Sequence, residues 1–270
     1  MSKIANSLYN IRLLNDLANK NTSIHNIHPL AKVIATVIYL IMLTSCGRYE
    51  ISRLLPYIFY PVLIFAFAEL PAVPILKRVL LVEPLIIGIG ILNPLFDNYT
   101  INIGDFAISR GWITFFSIFI KSSMAIVASL LLVATTGMDK MALALRMLKI
   151  PKIFVLQLLL TYRYISVLIE EVFKMQRAYT LRAPGQKGIH ISAWGSFAGQ
   201  LILRAFDRAQ RVYQAMSLRG FTGEYNTGEI PKFMFKDFAY MSGWSLFFVI
   251  ARIYNIPMLI GLFFTGVFNL

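Results

Sequence analysis

The residues best suited to specific chemistry are arginines closing two similar stretches. Gln176-Arg177-Ala178-Tyr179-Thr180-Leu181-Arg182-Ala183 is echoed by Gln210-Arg211-Val212-Tyr213 and then Leu218-Arg219-Gly220-Phe221. The Gln-Arg-x-Tyr elements lie 34 residues apart and the Leu-Arg elements 37 apart. A guanidinium is a planar fork of donors that matches carboxylates and backbone carbonyls on a partner protein. One arginine in a helix's last turn is explained by the C-terminal dipole it opposes. Two such ends, each followed by a small residue and a break in the chain, suggest paired contact points. Other chemistries lack their residues. No G-x-x-x-x-G-K-[ST] occurs, so the chain carries no P-loop of its own. His25, His28 and His190 are too scattered for an H-E-x-x-H zinc site, and no acid cluster suits phosphate chemistry with Mg²⁺. The single Cys46 excludes a disulfide framework or a Cys-based metal cluster within one chain. Gly88-Ile89-Gly90 reads as helix packing rather than a phosphate cradle. No catalytic, metal-binding or cofactor-binding residues are expected.

The elements that position these arginines follow from composition. The 270 residues are 57% hydrophobic and only 14% charged, against about 25% charged in soluble chains. Mean hydropathy is +0.66. A soluble particle of this composition would expose large apolar patches, and 21 Phe with long Ile/Leu runs exclude disorder. The expected fold is therefore an all-α polytopic integral membrane protein. The net charge of +13 reports cytoplasmic loops facing anionic lipid. With no nucleic-acid-binding pattern in the sequence, nucleic acid is not an expected partner. Residues 1–27 are polar and Asn-rich, with no signal-peptide pattern.

Apolar runs of about 20 residues place about five transmembrane helices, at 33–45 (or from Leu30), 51–68, 79–96, 112–136 and 238–268. The alternative for the first two is a helical hairpin with its loop at Cys46–Glu50. Residues 138–236 carry 15 Lys+Arg against 6 Asp+Glu, which assigns this segment, and with it the N-terminus, to the cytoplasm. Arg48 and Arg53, outside with Glu50, run against that rule. The expected divisions are 1–137 (tail and four spans), 138–236 (cytoplasmic helices) and 237–270 (last span). Glu83, Lys121 and Arg252 are ionisable groups within spans, read as snorkelling or structurally paired rather than as a substrate shell.

Residues 138–236 read as too polar to span and too patterned for a linker. Asp139 starts a short helix to Leu148, Pro151 precedes a helix from Lys152 to about Leu181, and Ser192 starts another to Leu218, stopped by Gly220. The two long helices would each run about 27–30 residues, or roughly 40–45 Å. Glu170 precedes Lys174 by four, a favourable exposed pair. On the later helix Trp194, Phe197 and Leu201 follow one face, expected to lie against other helices or a partner membrane subunit. Arg204, Arg208 and Arg211 form a basic stripe, expected to face polar surroundings.

This organisation resembles the transmembrane coupling (T) component of energy-coupling factor transporters, the CbiQ/EcfT-type family. Arg182-Ala183 and Arg219-Gly220 match that family's arginine and small follower. Ala215-Met216-Ser217-Leu218-Arg219-Gly220-Phe221 is similar to its A-M-x-x-R-G-F, and Ile27-His28-Pro29-Leu30-Ala31-Lys32 to its D-P-x-x-K. Leu181, Leu218 and His28 depart from the residues the family often has. The resemblance implies a non-catalytic subunit of an ATP-driven micronutrient importer in a prokaryotic cell membrane. It implies partners as well: two cytoplasmic ATPase subunits, a separate substrate-binding membrane subunit, and membrane lipid. Arg182, Ala183, Arg219 and Gly220 would bind the ATPases, supported by Arg177, Tyr179, Arg211 and Tyr213. A self-contained secondary transporter or channel is the alternative. The transported substrate, a transition metal ion or a vitamin, is left open.

Overall fold

The computed structural model describes residues 17–96, 100–103, 106–185, 188–223 and 232–258, with backbone only between 100 and 108. Two compact units divide the chain: Asp16–Gly137 with Pro231–Leu270, and Met1–Asn15 with Met138–Ile230.

In the first unit, α1 (Pro29–Ser45) begins on a local signal: the His28 ring nitrogen accepts the Leu30 N–H at 3.1 Å, and Pro29 takes the first helical position. Its row Ala31, Ala35, Tyr39 and Leu43 is buried without remainder, the i, i+4 stripe of a helix packed among others. A 3₁₀ helix at Ile51–Ile58, interrupted by Pro56, runs into α2 (Phe59–Ala68). Residues Cys46–Glu50 separate it from α1. There follow α3 (Ala72–Gly90), α4 (Leu92–Phe96), α5 (Arg110–Thr136) and, from the C-terminal part of the chain, α9 (Phe235–Ile253). Tyr39 is the centre of an aromatic core, its ring centroid 5.9 Å from Tyr57, 4.8 Å from Tyr60 and 5.2 Å from Phe248. Buried hydroxyls are costly unless bonded. Accordingly Thr36 and Tyr60 share a 2.8 Å hydrogen bond, and the Tyr57 hydroxyl donates to the Phe248 carbonyl at 3.1 Å.

The packing assigned to Gly88 and Gly90 holds for one of them. A Cβ on Gly90 would come within 2.9 Å of the Phe115 ring, whereas Gly88 has open space. A tighter approach, absent from the sequence reading, is Gly111 on α5, where a Cβ would fall 2.5 Å from Pro94 Cα. Also unanticipated is a two-stranded antiparallel hairpin, β1 (Thr100–Ile103) and β2 (Phe106–Ser109), pairing Thr100 with Ser109. Among the described residues the other elements are helical.

In the second unit, α6 (Met138–Met147) carries Asp139 in its first turn, and α7 (Lys152–Arg182) starts directly after Pro151. A 3₁₀ turn at Ile191–Ala193 leads into α8 (Trp194–Leu218). Ser192 is not the cap expected of it: the His190 ring caps the 3₁₀ turn by accepting the Ser192 N–H at 3.4 Å.

Among the described residues, Ile51–Ala68, Ala72–Phe96, Arg110–Thr136 and Lys152–Arg182 are long and apolar enough to cross a membrane, and Pro29–Ser45 is a shorter apolar helix. The protein is thus a polytopic helical membrane protein. The expected last span extends beyond the described residues from 259 onward. One expectation needs correction: α7 is not too polar to span by composition. Its charges gather in its second half, at Glu170, Glu171, Lys174, Arg177 and Arg182, leaving Ile153–Ile169 apolar apart from Gln157, Thr161, Arg163 and Ser166.

Candidate functional site: two arginine-bearing helix ends

α7 and α8 pack in antiparallel sense. Arg204 of α8 forms an ion pair with Glu171 of α7, and the Arg208 guanidinium lies over the Tyr164 ring, 6.0 Å from its centroid. The Arg204 hydrogen bond holds the Glu171 carboxyl below the usual carboxylate range. Lys174 approaches the same carboxylate at 3.9 Å. The basic stripe is exposed, in keeping with the polar surroundings expected of it, and part of it borders α7. Phe197 and Leu201 are half-buried and Trp194 is exposed. The half-buried line on α8 continues through Ala205, Val212 and Met216. A second apolar face, not recognised from the sequence, carries Ile202, Leu203, Phe206 and Tyr213, all exposed.

From the Glu171–Arg204 pair, Arg182 lies eleven residues along α7 and Arg219 fifteen along α8. At 1.5 Å per residue these are about 16 Å and 22 Å. Because the helices are antiparallel, the arginines leave the pair in different directions. The structure does not bring them together. Both are exposed, and among the described residues neither guanidinium has a hydrogen-bond or ion-pair partner.

The two ends share sequence but not backbone geometry. α8 closes in a Schellman motif: the Phe221 N–H bonds the Met216 carbonyl at 3.0 Å and the Gly220 N–H bonds Ser217 at 3.0 Å. Gly220 has φ +78°, a region natural to glycine and costly to other residues. That motif sets Arg219 at the cap position. α7 instead keeps its helical bond to the end, Ala183 N–H to Tyr179 carbonyl at 3.0 Å, and Ala183 has φ −125°. The chain turns two residues later at Gly185, φ +92°. Ala183 thus fits where Gly220 is required. Of the supporting residues, Tyr179 accepts the His190 N–H on its hydroxyl at 3.3 Å, tying the end of α7 to the start of the next element. Arg177 and Tyr213 are exposed, and Arg211 lines the α7–α8 groove beside Arg208.

The ionisable residues of the spans are structurally paired. Lys121 of α5 donates to the carbonyls of Cys46 (2.7 Å) and Gly47 (3.1 Å), and Arg252 of α9 donates to that of Ser45 (2.8 Å). Both cations thus meet the negative end of α1. Glu50 joins them, 3.2 Å from Arg53 and 3.7 Å from Arg252. Glu83 is buried and accepts a hydrogen bond from Ser123 across α3 and α5.

The other end of α1 holds a second lock that sequence reasoning missed. Lys32, 2% exposed, donates to the Thr135 carbonyl at the end of α5 (2.9 Å) and to His25 (3.3 Å). Asp237 of α9, also 2% exposed, accepts the backbone N–H groups of His28 and Met234, each at 2.8 Å. The His28-Pro29-x-x-Lys32 spacing is therefore a helix start and a reach across to the neighbouring helix's last carbonyls. Among the described residues no three His, Cys, Asp or Glu side chains gather to hold a metal ion.

The protein is thus a polytopic helical membrane protein whose second unit carries a pair of arginine-ended helices. The chain matches the family model CbiQ, described as cobalt transport protein, over residues 20–230, and it belongs to that family. It is also 25% identical over 233 residues to an uncharacterized protein of Methanocaldococcus jannaschii, covering 81% of this chain and 78% of that relative.

Proposed function

We propose that the chain is the transmembrane coupling subunit of an ATP-driven importer of the energy-coupling factor type, transmitting ATPase motion to a separate substrate-binding membrane subunit. The carrying observation is the pair of exposed arginines, Arg182 and Arg219, unpartnered among the described residues at the ends of two antiparallel helices. Two ends leaving the α7–α8 pair in different directions suit two ATPase subunits, one arginine to each. In this reading the N-terminus and the α6–α8 segment are cytoplasmic, and the protein sits in a prokaryotic cell membrane. The ATPases close on ATP, their grooves hold Arg182-Ala183 and Arg219-Gly220, and the long helices act as levers. Tyr179 stiffens one anchor from behind and Tyr213 stands correspondingly on the other helix, with Arg177 and Arg211 at the flanks. Membership of a cobalt transport family makes cobalt the first cargo to test, ahead of other metals or vitamins.

The test compares Arg182→Ala, Arg219→Ala, the double Ala and the double Lys variants, co-expressed with the ATPases and scored for co-purification and cobalt uptake. Truncating an arginine buried in an interface should cost about 2–5 kcal/mol of interface energy. Lysine should rescue poorly, because a point charge does not reproduce the fork. Partial loss in each single variant and near-abolition in the double supports two anchors. Wild-type assembly and uptake in the double Ala variant refutes the coupling role. Loss of cobalt uptake is informative only if ATPase binding is followed in parallel, since a different cargo would leave assembly intact.

A further inference from the structure

The rim at the C-terminal end of α1 holds more positive charge than its own contacts use. Arg48, Arg53, Lys121 and Arg252 gather there, and of these Arg53 and Arg252 pair with the Glu50 carboxylate. The backbone acceptors are already taken: Ser45 by Arg252, Cys46 and Gly47 by Lys121. Glu50 Oε2 is shared among Arg53, Arg252 and the Gly47 N–H (3.4 Å). What remains is unanswered donors. Arg53 Nε is shielded from solvent with no hydrogen-bond partner, and a shielded, unpaired donor calls for an acceptor. Arg48, two residues before Glu50, is exposed and has no partner among the described residues.

We propose that this rim binds a phosphate group, with Arg48 and Arg53 as its ligands and Lys121 and Arg252 as the fixed charges behind them. Phosphate suits the site because it offers several acceptor oxygens to forked guanidinium donors at once. Position supports it too. α1 is 17 residues long, about 25 Å, so a chain spanning a hydrocarbon core of about 30 Å has this rim close to the depth of lipid phosphates. In the orientation proposed above it faces outward, which accounts for cations on the side where the positive-inside bias does not favour them. The phosphate can come from the headgroup of an anionic phospholipid or from the free anion, and the experiment separates these.

The full-length chain is purified in neutral detergent and delipidated. It is then titrated with phosphatidylglycerol against phosphatidylcholine, and with sodium phosphate against chloride at equal ionic strength. Retained lipid is read by native mass spectrometry and stability by thermal unfolding. Three proteins are compared: wild type, Arg48→Gln, which breaks no contact described within the chain, and Lys77→Gln, an equal charge change on exposed α3. Wild type should retain phosphatidylglycerol over phosphatidylcholine. Arg48→Gln should weaken that preference about fivefold, the worth of roughly one cation near a lipid phosphate, and Lys77→Gln should leave it alone. A response to phosphatidylglycerol without one to inorganic phosphate assigns the site to the headgroup. Stabilisation by inorganic phosphate that Arg48→Gln abolishes assigns it to the free anion. Equal behaviour of wild type and Arg48→Gln with both ligands overturns the proposal, and so does an equal loss in Lys77→Gln, which would make the attraction one of net charge alone.

Discussion

The carboxylate of Asp237 accepts the backbone N–H of His28 at 2.8 Å, although the two residues are 209 apart in sequence. Its other oxygen accepts the Met234 N–H, so one buried acid joins the starts of α1 and α9. Removing it leaves the buried His28 N–H and the part-buried Met234 N–H unsatisfied. Asp237→Ala should therefore cost about 2–4 kcal/mol, and Asp237→Asn, which keeps one acceptor oxygen, about half. Thermal unfolding in detergent measures both. A midpoint for the Ala variant within about 1 °C of wild type would remove Asp237 from its role as a lock.

Sidedness of α7 is the next expectation, because composition alone lets this helix cross a bilayer. If α6–α8 is cytoplasmic, cysteines at Lys149 and Gly185, before and after α7, should react with an impermeant thiol reagent from the same face. A cysteine at Leu270 should react from the opposite one. Opposite reactivity of the Lys149 and Gly185 positions would make α7 a membrane span and displace the cytoplasmic reading of Arg182.

Gly220 and Ala183 should differ in tolerance despite their matching positions in sequence. A Cβ on Gly220 meets nothing within 4 Å, so Gly220→Ala acts through its φ of +78° alone. It should cost about 1–2 kcal/mol and reorient Arg219, weakening ATPase co-purification with the arginine itself intact. Ala183→Gly, at φ −125°, should leave binding within about twofold, a change of under about 0.5 kcal/mol. Identical effects of the two substitutions would mean that the Schellman closure does not aim Arg219.

The Glu171–Arg204 pair gives a pH dependence. Arg204 lowers the Glu171 pKa below its unfolded value. The stabilisation is therefore full above the unfolded carboxylate range and is lost as pH falls through the lowered folded one. The pair is partly exposed, with side chains 21% and 51% accessible, so Glu171→Gln should cost only about 0.2–1 kcal/mol at neutral pH. The gap to wild type should close in acid. A gap that persists when both proteins are fully protonated would trace the effect to packing.

Much of the architecture is legible because its signals are local. His28-Pro29 starts α1, Pro151 precedes α7, and Gly220 ends α8, each through the backbone of its own neighbourhood. The hairpin also had a local signal, since only Gly104-Asp105 separates the β-branched run at Thr100–Ile103 from Phe106–Ser109. Long apolar runs on either side obscured it. The capping of α1 was out of reach for a different reason. Its partners, Lys121, Arg252 and Asp237, lie on helices that meet α1 only in three dimensions, so each reads in sequence as an isolated charge in or beside an apolar run. The arginine ends show the limit from the other side. Leu-Arg-Ala and Leu-Arg-Gly look like one motif repeated, yet only the glycine admits the left-handed turn that closes α8.

The distance between His28 and Asp237 along the chain also bears on how the protein is made. A ribosome adding about 5–20 residues per second needs on the order of 10–40 s to travel from one to the other. Throughout that interval α1 waits in the membrane with the His28 N–H lacking its acid and the Ser45 carbonyl lacking Arg252. Completion of the bundle is therefore set by arrival of the last helix, and a nascent chain released before Asp237 emerges leaves its first span held only by α5, through Lys121 at one end and the Lys32–Thr135 contact at the other.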